Sequence, residues 1–108
     1  MIDSQIRQAI GAQIVLEVTY DTTTRLVEPH IFGADKAGND LLRAWQQSPL
    51  PAEWRIFRID KISSIALTRT RFAGARMGYE RDDKQIVNVY CISRPEPACV
   101  IWATFTYN

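Results

Sequence analysis

The residues able to grip something charged are concentrated around one stretch. Trp54-Arg-Ile-Phe-Arg-Ile-Asp-Lys-Ile62 is apolar enough for a buried strand, yet it carries Arg55, Arg58, Asp60 and Lys61. Burying an unpaired guanidinium costs several kcal/mol. Such a strand either pairs its charges or turns them toward a polar site. Arg25 and Arg43 lie on the preceding apolar segments. The candidate anion site is Arg25, Arg43, Arg55 and Arg58, with Lys61 at its rim. A guanidinium suits this role because its planar fork holds a phosphate or carboxylate through two parallel hydrogen bonds. Trp45, Trp54, Phe57 or Tyr79 supply rings on which a base stacks. The competing reading is that Asp60 and Glu28 neutralise these arginines while the rings fill the core.

Strand geometry constrains this set. Arg55 and Arg58 are three apart, so on one regular strand they face opposite sides and line one concave site only through a bulge. Lys61 shares the parity of Arg55, and Arg43 that of Leu41 and Trp45. Charge along the chain is uneven. Residues 54–81 hold seven basic side chains against Asp60 and Glu80, a net +5, whereas residues 1–53 carry −3. That asymmetry can draw an anion to one side, although the whole chain carries only +1.

Other chemistries lack their residues. His30 is the only histidine, and Cys91 and Cys99 stand without metal-ligand spacing. Asp82-Asp83 reads as a solvated pair in a charged turn. No glycine-rich phosphate loop, nucleophile elbow or paired-histidine motif occurs. The chain therefore reads as a non-enzyme that needs no metal or cofactor. Its start lacks the pattern of a signal peptide, and no apolar run approaches the ~20 residues of a membrane span. A cytoplasmic protein with reduced thiols is the expectation.

These residues need elements to hold them. At 108 residues, 46% of them hydrophobic, the chain reads as one globular domain. Ile2, Ile6, Ala9 and Ile10 form one stripe, predicting a short helix over residues 3–11 stopped by Gly11. Ile14–Tyr20 alternates as a strand, and Asp21–Thr24 reads as a turn. Arg25–Phe32 resumes, with Pro29 marking an edge, a bulge or a break. Asp35–Asn39 reads as a hairpin turn and Leu41–Gln46 as its return strand. Ser48–Glu53, with two prolines, is a loop. Strands follow at Trp54–Asp60, Ile62–Thr70, Ile86–Ile92 and Cys99–Tyr107, although Ile86, Val89 and Tyr90 also fit the spacing of a short helix. Six or seven short strands and one helix predict a mainly β fold, a small barrel or sandwich.

The middle of the chain also resembles the WYL domain family. The likeness covers roughly residues 6–81. It is carried by the N-terminal helix with Val18-Thr-Tyr20, by Arg25-Leu-Val-Glu-Pro-His30, by Leu41-Leu-Arg-Ala-Trp45 at the place of the signature tripeptide, and by Arg55-Ile-Phe-Arg-Ile-Asp-Lys-Ile62. Of the tripeptide only the leucine matches, since Asp40-Leu41-Leu42 stands there. The resemblance implies an Sm-like or SH3-like barrel behind one N-terminal helix, with residues 82–108 as an extension completing the sheet. It implies ligand sensing, directed at nucleic acid or a nucleotide-like anion. In the family a helix-turn-helix usually precedes the domain, and the residues before Ile14 are too few for one.

The reading is a regulatory ligand-binding module that recognises a nucleotide, an oligonucleotide or nucleic acid through a basic face. The alternative is an interaction or assembly subunit. Cys99–Tyr107 is apolar on both parities and suits an inner strand or a homodimer interface.

Overall fold

The computed structural model describes residues 2–74 and 83–92. Among them the chain forms a helix, six strands and a single 3-10 turn: α1 (Ile2–Ala12), β1 (Ile14–Tyr20), β2 (Thr23–Ala34), β3 (Asp40–Ser48), β4 (Glu53–Arg58), η1 (Ile59–Lys61), β5 (Ile62–Arg71) and β6 (Asn88–Ile92). The mainly β expectation holds, and every ladder is antiparallel. Tyr79 and the Cys99–Tyr107 segment lie outside the described residues.

The helix forms because Ile6, Ala9 and Ile10 recur on one face and are fully buried there. So short a helix is marginal alone; its stability comes from packing on the sheet. Gly11 does not stop it. The left-handed residue is Gln13, at φ 58°. The following turn is shorter than Asp21–Thr24 suggests. Tyr20 pairs directly with Thr23, leaving Asp21 and Thr22 as a two-residue hairpin loop, both at positive φ.

The strand order is β4-β3-β2-β1-β5, with β6 added to β2. β2 is the organising strand. Its first residues pair with β1 through Val27, and its last, from Ile31, pair with β6 along the same edge. Pro29 sits between these two ladders, where its missing N–H is not needed. On the β3 side the register slips between Pro29 and Ile31, so proline marks a bulge.

Among the described residues no ladder joins β4 to β5. The barrel expected from the sequence is therefore not closed by hydrogen bonds. The sheet nevertheless curls. β4 and β5 stand at opposite ends of a five-strand path, which laid flat would span about 19 Å. The η1 turn links Arg58 to Ile62, a reach of at most about 14 Å. The Arg58 N–H donates to Tyr20 Oη at 3.4 Å, tying β1 to the end of β4. η1 also corrects the predicted strand over Trp54–Asp60, which ends at Arg58.

Curling gives the sheet an inner and an outer face. The inner core combines Ile6, Ala9 and Ile10 with Leu16, Val18, Val27, Phe32, Leu42, Ala44, Phe57 and Ile62. On the other face Ile31, Leu41 and Ile86 make a smaller cluster with Ile56 and Ile92. There the segment entering β6 closes against the sheet, with the Val87 N–H on the Ala34 carbonyl at 2.9 Å.

Candidate anion-binding site

Pairing register decides which arginines meet. Leu42 stands opposite Phe57, and Ala44 opposite Arg55. Arg55 is therefore on the inner face, with the core. Arg25 shares the parity of Val27, another core residue, and is itself 9% exposed. Arg58 opposes Leu41, and Arg43 opposes Ile56. Both belong to the outer face with Trp45. The four arginines thus divide into two pairs back to back, and β4 carries no bulge that reunites them. Lys61 lies on η1, where the parity it would share with Arg55 on a strand no longer applies.

The outer pair is neutralised. Arg43 Nε donates to Asp83 Oδ2 at 2.7 Å, and Nη2 reaches Gln85 Oε1 at 2.6 Å. Burial pushes the Asp83 carboxyl up; hydrogen bonds from Arg43 and from the Gln85 and Ile86 N–H groups, with the Arg43 charge, outweigh it and hold the group below its ordinary value. Arg58 holds both oxygens of Asp60, at 3.2 and 2.8 Å, and Asn39 Oδ1 at 3.2 Å. That hydrogen-bonded pair depresses the Asp60 carboxyl. The pairing foreseen for Asp60 is therefore present, while Glu28 accepts a bond from Gln47 at 2.7 Å. Trp45 packs edge-on against Trp54 at 5.5 Å, as a structural ring pair.

The inner pair is different. Arg55 Nη1 contacts Glu53 Oε2 at 3.2 Å, with both side chains partly exposed, and its guanidinium lies 6.0 Å from the Phe57 ring centre. Arg25 makes no ion pair among the described residues. Its Nη1 donates to Gln46 Oε1 at 2.9 Å, its guanidinium lies 5.8 Å from the Tyr20 ring centre, and its enclosed Nε has no acceptor. Tyr20 and Phe57 meet edge to face at 5.0 Å, so the rings beneath the two guanidiniums touch.

Gln46 is the residue missed by sequence reasoning. It is 2% exposed, opposite Glu53, and its Nε2 donates to the Pro49 carbonyl at 2.8 Å. That bond fixes which end of the carboxamide faces Arg25. Its position on the Leu42–Ala44 parity was the available signal, because a glutamine in a core stripe needs partners.

Compared with known proteins, the chain matches no family model, no curated protein and no solved structure. No group of metal-ligating side chains occurs among the described residues, and no helix among them is long and apolar enough to cross a membrane.

Proposed function

We propose that this chain is a regulatory ligand-binding module that takes an anionic, nucleotide-like ligand at the rim formed by Arg25, Gln46, Arg55, Tyr20 and Phe57. The observation that carries this reading is Arg25: a nearly buried guanidinium with a neutral partner on one nitrogen and no acceptor on Nε. Removing a charge from water without a counter-charge is strongly unfavourable. A bound oxyanion supplies the missing counter-charge. Nothing on this rim resembles a nucleophile beside a base, so the proposed role is binding without catalysis, in the cytoplasm.

The finer fold reading belongs to the same proposal. β4 and β5 bracket the sheet and are joined by a single 3-10 turn, which supports a WYL-like, Sm-like or SH3-like barrel that curls around the rim without a closing ladder.

Titration calorimetry at low salt with cyclic nucleotides and inorganic phosphate tests the function. Wild-type protein binds, and its melting temperature rises by mass action; Arg25→Met loses both effects. Equal binding by Arg25→Met, or no binding by the wild type, defeats the proposal.

A further inference from the structure

The geometry points to a small, singly charged organic oxyanion as the ligand of this rim: a carboxylate or a phosphodiester carrying an apolar body, and not a nucleic-acid strand. This rests on the anion-binding part of the reading above and specifies the charge and the body of the anion.

The first argument is charge. On the inner face Arg25 and Arg55 are opposed by Glu53, which leaves a single net positive charge. The other two arginines stand across the sheet, each with its own carboxylate. A nucleic-acid strand needs cations in succession along a groove. Arg71 does not extend the rim, because it pairs with Ile14, at the far end of β1 from Val18, the partner of Arg25. Four residues of ladder separate those positions by about 14 Å.

The second argument is the number of hydrogen bonds on offer. Gln46 is clamped by the Pro49 carbonyl and takes one of the two Nη1 hydrogens of Arg25. Nε is enclosed, so a ligand meets the remaining hydrogens of the terminal nitrogens, and one such fork matches one oxyanion held by two bonds. A dianion would leave a charge unmatched.

The third argument concerns the rest of the ligand. The carbonyl that orients Gln46 belongs to Pro49, one residue before Leu50, whose side chain is 81% exposed. A lone exposed leucine is ordinary. This one is carried by a loop bonded to the residue that presents Arg25, with Pro51 and Ala52 also exposed beside it. An apolar body attached to the anion would cover it.

The test is nitrogen-15 NMR of the Arg25 side-chain Nε–H in the full chain. It is titrated with octanoate, cyclic AMP, inorganic phosphate and a twelve-nucleotide oligo-dT. Octanoate, cyclic AMP or both should move that resonance, with a salt dependence of about one released ion, and bind more tightly than phosphate. The preference between them separates a carboxylate from a phosphodiester. Leu50→Ser should weaken the preferred ligand by roughly three- to tenfold and leave phosphate unaffected. The inference is overturned if oligo-dT binds at Arg25 most tightly with a steep salt dependence, if phosphate matches the organic anions, or if Leu50→Ser changes nothing. If no anion moves the Arg25 signal, the anion-binding reading itself falls, and this inference with it.

Discussion

Arg25 and Arg43 carry the same charge on neighbouring strands, yet their removal has different consequences. Arg25 is held by an amide and a ring, with no carboxylate among the described residues. Replacing it with methionine removes a desolvated charge and leaves only Gln46 Oε1 without its donor. Arg25→Met should therefore change stability by no more than about 1 kcal/mol in urea unfolding, because the two effects oppose each other. Arg43→Met removes the counter-charge of Asp83, a 10% exposed carboxylate, and should cost about 1–3 kcal/mol. The same pair sets an acid limit. Asp83 is held below its ordinary value in the folded chain, so its contribution is complete above the unfolded value of about 4 and lost as pH falls through the folded one. Urea midpoints taken from pH 7 downward should show wild type and Arg43→Met converging in acid. At this scale the sequence exposed the arginines and, in Asp60, the partner of Arg58, but not the partners of Arg25 and Arg43. Parity separated Arg55 from Arg58. Nothing local tells Arg43 that Asp83, forty residues on, will reach it, or Arg25 that its neighbour is a glutamine.

Elements were more legible than contacts. β1 is bounded at Ile14 and Tyr20 as its alternation indicates, and Pro29 does mark a bulge. The misreadings share a cause: a short turn can keep the pattern of the element beside it. Ile59-Asp-Lys61 preserves strand-like alternation while folding as a 3-10 turn, and Gly11 invites a helix stop that Gln13 makes instead. Gly33 shows a need invisible in one dimension. A Cβ there would lie 2.3 Å from the Asn88 carbonyl oxygen and 2.6 Å from Ile86 Cγ2. Gly33→Ala should push β6 off β2 and cost about 1–3 kcal/mol. Urea unfolding measures the loss, and hydrogen exchange should place it at Asn88–Ile92. On the helix, Ile6→Ala opens the inner core and should cost about 2–5 kcal/mol, with the same urea midpoint as readout.

At the scale of the molecule, the sheet sorts charge by face, a property no segment shows alone. The basic stretch after Trp54 looks continuous in sequence, but Arg55 goes to the inner face, Arg58 to the outer, and Lys61 to a turn. The outer pair instead fastens structure: Arg43 anchors the segment that leads into β6 through Asp83 and Gln85. β6 itself pairs, among the described strands, only with β2. It can leave while the five-strand path stays intact, so exchange of its amides should need less than global unfolding. Detachment bares the Ile31–Ala34 edge of β2, four apolar residues with open backbone groups. In acid, where the Asp83 anchor fails, that edge becomes a template for a neighbour. Self-association on acidification is thus a hazard written into a strand that serves two ladders along one side.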